Sequence, residues 1–166
     1  MRMYESESYY EMAQVCKNGH SITGRYNGSP ALRQDFCSKC GQPTITKCEK
    51  CGESIRGKYI VAGIGDMTKF NPPSFCHKCG SAYPWTTKKI EAFSELADEL
   101  DELSDDEKAK LKLSLDDLIN TSPKTQLAET HFKKILSKVS KESYDLVKGV
   151  LTDILSETIK KSIFKQ

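Results

Sequence analysis

Residues 16–20 read CKNGH, and the way they are counted decides the fold. The chain of 166 residues holds seven cysteines. Six fall into three matching units, CSKCG at 37–41, CEKCG at 48–52 and CHKCG at 76–80, and Cys16 stands apart. Two thiolates separated by two residues can hold one ion from a tight turn whose backbone N–H groups point at the sulfurs. The glycine after the second cysteine supplies the positive φ that such a turn needs. A tetrahedral structural Zn²⁺ takes four ligands, so three knuckles make one site and half of another. CKNGH supplies the missing half. Cys16 and His20 have the spacing of a Cys/His half-site, and Asn18-Gly19 is a strong turn dipeptide. The count then closes at two Zn²⁺, one in a Cys₃His site and one in a Cys₄ site. The alternative leaves Cys16 as a buried free thiol and His20 on a surface turn.

Sequential pairing of the half-sites puts Cys16, His20, Cys37 and Cys40 in the first site, and Cys48, Cys51, Cys76 and Cys79 in the second. The intervening segments are then 16 and 24 residues long, against 27 and 35 for interleaved pairing. The sequential segments read as hairpins. SITGRYNGSPALRQDF (21–36) has alternating residues and a turn at Asn27-Gly28-Ser29-Pro30. ESIRGKYIVAGIGDMTKFNPPSF (53–75) has a strand-like KYIV, a Gly-rich reversal at 63–66 and a Pro-Pro return. Knuckle, hairpin and knuckle make a zinc ribbon, so residues 1–85 are expected to form two tandem ribbons. His77 lies inside a knuckle and is expected to point away from the metal. His131 flanks an apolar helical stripe and is expected to have no ligand role.

Composition sets the compartment. Clustered CxxC pairs in a reducing environment point to metal rather than disulfides. The start, MRMYESESYYEM, has no apolar core of a signal peptide, and no apolar run approaches the ~20 residues needed to span a bilayer. A cytoplasmic protein without membrane contact is expected. Residues 1–85 carry eleven Lys and Arg against seven Asp and Glu, a formal +4. Seven thiolates holding two Zn²⁺ reduce that to about +1.

After YPWTT (83–87) there is no cysteine, and the one remaining glycine is Gly149. Residues 86–166 therefore read as a separate all-α region of about four helices. The first, over roughly 87–103, places Ile90, Phe93, Ala97 and Leu100 on one stripe. Nine Asp and Glu lie between Glu91 and Glu107 with no Lys or Arg among them. Ser104-Asp105-Asp106-Glu107 is a capping box that opens a second helix, with Leu111, Leu115, Leu118 and Ile119 inward. Ser122 and Pro123 suit the N-cap and first position of a third, with Ala128, Phe132, Ile135, Leu136 and Val139 inward. Ser140 caps a fourth, apolar around more than half its circumference, from Tyr144 to Ile163. Lys160, Lys161 and Lys165 suit its C-terminal end. Trp85, the single tryptophan, is expected to pack at the junction.

Residues 13–86, through AQVCKNGH, LRQDFCSKCG, CEKCGESIRGKY and NPPSFCHKCGSAYPWT, resemble a bacterial double-zinc-ribbon family described as domain of unknown function 2321. The resemblance covers all eight ligand candidates and supports the ribbon fold. It implies no activity.

The ligand count argues against catalysis, because catalytic zinc keeps an open position and both sites here are filled. The reading is a non-enzymatic double zinc ribbon acting as a protein-interaction module. The C-terminal helices would dock a protein partner or a second copy. The alternative is nucleic-acid binding through Arg25, Arg33, Arg56, Lys58 and Tyr59, with Tyr26 and Lys69 nearby.

Overall fold

A computed structural model describes residues 7–64 and 69–164. Residues 1–6, Gly65 and Asp66 of the expected reversal, and Lys165 lie outside the described residues. The chain divides into two units, residues 1–87 and 88–166.

Among the described residues the first unit holds five short strands: β1 (Tyr9–Met12), β2 (Gln14–Cys16), β3 (Ser21–Thr23), β4 (Thr44–Ile45) and β5 (Arg56–Ile60). β2 is the middle of an antiparallel sheet ordered β3-β2-β4. The turn 17–20 is thus enclosed by the pair β2–β3. Each CxxCG knuckle is closed in the same way by one antiparallel bridge: Phe36 with Pro43, Lys47 with Ser54 and Phe75 with Ala82. Gly41, Gly52 and Gly80 all have φ of 70–74°, the conformation a Cβ would resist.

The hairpins differ from the expectation. They enclose the knuckles and do not fill the segments between them. After β3 the chain turns at 26–28 and enters a 3₁₀ turn at Pro30–Leu32. The strand expected at KYIV is present as part of β5, but its partner is β1, with Tyr10 opposite Tyr59, and not the Pro-Pro return. The physical reason is close backbone approach. Gly57 packs so tightly on Gly24 that a Cβ there would lie 2.2 Å from the Gly24 carbonyl oxygen, and Lys58 N–H donates to that oxygen at 2.9 Å. This contact draws β5 toward the end of β3 and leaves it beside β1.

Buried polar groups complete the frame. Gln14 donates through Nε2 to the Gln34 carbonyl at 2.7 Å and accepts the Gln34 N–H at 3.1 Å, so its side chain imitates a strand partner. The Glu11 carboxylate, 5% exposed, accepts the N–H groups of Asn27 and Gly28. The apolar core is small: Ala13, Val15, Ile55, Tyr83 and Trp85 with Cys48 and Cys76.

The second unit has helices as its regular elements among the described residues. α1 (Pro84–Asp98) begins in the first unit, and α2 (Asp105–Ile119), α3 (Thr125–Leu136), α4 (Lys141–Leu151) and α5 (Glu157–Ile163) follow. Ser104 and Glu107 form the expected capping box, and Ser140 caps α4. Ser122 and Pro123 instead form a turn, and α3 starts at Thr125. There the Thr125 hydroxyl accepts the Ser122 N–H and donates to the Asp117 carbonyl, which holds the turn open.

The expected fourth helix is two helices. Ser156 accepts the Ile159 N–H and restarts the chain as α5. That break explains the wide apolar circumference of 144–163. Val147 and Leu151 on α4, Ile154 and Leu155 in the link, and Ile159 and Ile163 on α5 all reach one core with Phe93, Leu111 and Phe132. Leu146, counted with the apolar face, is 59% exposed.

Candidate metal centres

Two groups of side chains converge in the first unit. Cys16, His20, Cys37 and Cys40 form one, and Cys48, Cys51, Cys76 and Cys79 the other; within each, the donor atoms lie within 4.8 Å of one another. The half-sites therefore meet in sequence order. β2 ends at Cys16 and delivers it to a tight turn, where the His20 N–H donates to Cys16 Sγ at 3.2 Å. In each knuckle the N–H of the glycine bonds the carbonyl of the first cysteine, at 2.8–2.9 Å, which brings the two thiols to one side.

The spacing tests whether a metal ion fits. Ligands at tetrahedral angles, with Zn–S of about 2.3 Å and Zn–N of about 2.0–2.1 Å, stand about 3.8 Å apart sulfur to sulfur and about 3.6 Å apart sulfur to nitrogen. In the first group Cys16 and Cys40 sulfurs are 3.8 Å apart, and His20 Nδ1 lies 3.5 Å from Cys16 Sγ and 3.6 Å from Cys37 Sγ. In the second, Cys48–Cys79 is 3.8 Å and Cys51–Cys76 is 3.7 Å. These distances match the edges of a tetrahedron that a metal ion could occupy. They are too long for disulfides, whose sulfurs sit about 2.05 Å apart, and all seven cysteines are free.

The electrostatics fit the same picture. Burial pushes the Cys37 thiol up, but the N–H groups of Lys39 and Cys40, with the Cys40 and His20 side chains, outweigh it and hold it at about 6. The Ser81 hydroxyl, 3.1 Å from Cys79 Sγ, and the Ser81 N–H hold Cys79 at about 6. The N–H groups of Cys79 and Lys78 lower Cys76. Cys51 goes the other way. The Glu53 N–H favours its thiolate, yet burial and the neighbouring sulfurs prevail and push it up to about 12. Burial likewise raises Cys16 against the N–H groups of Asn18 and His20. Crowded thiols resist a further negative charge unless a cation shares the space.

A buried hydroxyl fits the same account. Tyr83 is 1% exposed, and its O–H makes no well-formed hydrogen bond among the described residues, although it faces the Cys76 sulfur. Burial raises its pKa, and so do the neighbouring sulfurs of Cys76, Cys48 and Cys51. A thiolate there would serve as its acceptor. Nothing in the spacing of the chain marks Tyr83 in advance.

A family model described as an uncharacterised protein conserved in bacteria, domain of unknown function 2321, matches residues 9–163. The chain belongs to that family. Membership in domain of unknown function 2321 extends through the helices, beyond the ribbon segment in which the resemblance was first visible. No curated protein and no solved structure gives a significant match to the chain.

The remaining candidates are dispersed. His77 is exposed at the tip of its knuckle, and His131 is exposed on α3; neither joins a cysteine group. Arg33 is turned onto Tyr26, its guanidinium 4.1 Å from the ring and its Nε–H bonded to the Tyr26 carbonyl. Arg56 lies 4.7 Å from the Tyr10 ring, which also meets Tyr59 at 4.8 Å. Arg25 and Lys58 line a different depression, together with Lys69 and with Lys39, which the sequence reading passed over. No helix among the described residues is long and apolar enough to cross a membrane.

Proposed function

We propose that the chain is a non-catalytic double zinc ribbon, in which two structural Zn²⁺ ions hold the first unit as a protein-interaction module. One observation carries this reading: donor atoms 3.5–3.8 Å apart in both groups match tetrahedral edge lengths, and four protein side chains make up each set. A filled set leaves no position for the water or substrate that catalytic zinc needs. A tetrahedral set of three sulfurs and one imidazole suits Zn²⁺. Seven free thiols suit the reducing cytoplasm.

The helical unit is the docking arm. Leu113 and Leu127, 73% and 57% exposed, flank one depression between α2 and α3, and a protein partner or a second copy of the chain would cover them. The nucleic-acid alternative has less support. Its residues occupy different depressions, and Arg33 is engaged by Tyr26.

Metal analysis with light scattering on the purified protein tests the proposal. Two zinc ions per chain are expected, falling to one in Cys40→Ser. A ratio below two in the unaltered chain, or iron in place of zinc, would refute it.

A further inference from the structure

The first unit carries a formal +4, which two Zn²⁺ on seven thiolates would reduce to about +1, and its charges are unevenly placed. Lys17 pairs with Glu49 at 2.6 Å and Lys78 with Glu53 at 2.9 Å. Glu11 is buried against the N–H groups of Asn27 and Gly28. Three other cations, Arg25, Lys39 and Lys69, line a single groove of about 500 Å³ together with Lys58, which has a partner of its own, and no Asp or Glu is among the groove's described lining residues.

The groove is built from both ribbons. Arg25 follows β3, Lys39 sits at a knuckle tip of the first metal set, Lys58 lies on β5, and Lys69 comes from the segment leading to the last knuckle. The contact of Gly57 on Gly24 and the Phe70 ring over Gly24 join the two walls. A Cβ on Gly24 would lie 2.7 Å from that ring. Ile22, Leu32 and Pro72 add apolar surface between the cations, and Leu32 is 54% exposed.

We infer that this groove binds an acidic peptide segment that carries apolar side chains between its carboxylates. The inference deepens the interaction-module reading and rests on it, because both metal-held ribbons supply the walls. Charge complementarity selects an anionic ligand. The small total charge of the zinc-loaded unit selects a short one held locally, since exposed charges act only over about 8–10 Å in physiological salt. A nucleic-acid strand draws its affinity from many phosphates and from bases stacked on aromatic rings. The exposed rings of Tyr10 and Tyr59 lie outside the groove, and the aromatic side chain lining it, Phe70, is half-buried on Gly24. Apolar residues among the cations match peptide side chains instead.

Fluorescence anisotropy on the full zinc-loaded chain tests this. The probes are a labelled peptide with leucines between its glutamates and a labelled oligothymidylate of equal charge. The peptide should bind, and more weakly as salt rises. Lys39→Glu with Lys69→Glu should weaken it at least about tenfold. Lys47→Glu with Lys50→Glu, which changes net charge equally but leaves the groove intact, should have little effect. Tighter binding of oligothymidylate, or equal losses in both double variants, would overturn the inference. Zinc content measured on the same samples separates the two readings. Two ions per chain without peptide binding overturns the groove alone. Peptide binding with fewer than two ions overturns the scaffold reading and leaves the groove standing.

Discussion

The residue that gained most from the structure is Tyr83. It stacks on Trp85 with ring centroids 4.7 Å apart and belongs to the core that includes Cys48 and Cys76. A buried hydroxyl without an acceptor costs roughly 1–3 kcal/mol, so its retention beside the sulfurs of Cys76, Cys48 and Cys51 calls for a partner. On the two-zinc reading that partner is the Cys76 thiolate, which carries more negative charge once deprotonated by the metal. Groups that hydrogen-bond to metal ligands typically change affinity 10–100-fold when removed. Tyr83→Phe should therefore weaken zinc at the second site about tenfold in competition with a chelator, while the first site is unchanged. The ring and its packing stay in place, so the far-UV circular dichroism should match the parent chain. Equal zinc affinities in variant and parent would mean that the hydroxyl is simply unsatisfied. The two four-residue sets themselves were legible from spacing alone, because the ligands come as local pairs with their own turn glycines. Tyr83 was not, because its place beside the sulfurs comes from packing across the unit.

At the scale of elements, local signals survived and distant ones did not. Ser104 and Ser140 were readable as caps because a cap needs only its own next three residues. Ser156 was hidden: Ile159 stands where a capping box has Glu or Gln, and the apolar spacing runs on through it. The strand β5 was readable from KYIV, but its partner was not, since Gly24 and Gly57 select β1 from the far end of the unit. The helix links carry a further consequence. Glu102, in the turn before α2, accepts the Ser140 N–H at 3.1 Å and the Ser143 hydroxyl at 3.0 Å, and so ties that turn to the start of α4. Its own N–H, then the Ser140 and Ser143 groups, hold it at about 2. The Lys138 ammonium first, and the Ser104 N–H next, hold Glu107 at about 2. Both folded values lie below the ordinary value near 4.5, so the stabilisation is complete above that pH and is lost as pH falls toward 2. Thermal melts followed by helical circular dichroism should show the melting temperature dropping across that window. Glu102→Gln with Glu107→Gln should melt lower at neutral pH and show a flatter acid slope. An acid slope equal to that of the parent chain would assign the loss to other carboxylates.

At the scale of the molecule, the two units differ in what holds them. The described core of the helical unit has eighteen buried apolar residues, whereas that of the ribbon unit has seven, two of them cysteines from the second metal set. A core that small cannot offset the backbone entropy of its chain. Structural zinc supplies on the order of 10 kcal/mol of folding free energy per site, which on the two-zinc reading is enough to decide whether the ribbon unit is folded. The helical unit needs no such support, so removal of metal should act on one unit and spare the other. Trp85 reports the difference, being the only tryptophan, 4% exposed, with its indole N–H on the Pro73 carbonyl at 2.9 Å. Titration with a strong chelator should shift Trp85 emission to the red and abolish its protection from quenchers. The cooperative helical melt should keep its midpoint, because α1 contributes only its first turn to the ribbon unit. Zinc added back should restore the emission, with a plateau at two ions per chain. Blue, protected emission after complete metal removal would show that the ribbon unit is held by its packing, and that the two sets of thiols serve some purpose other than the fold.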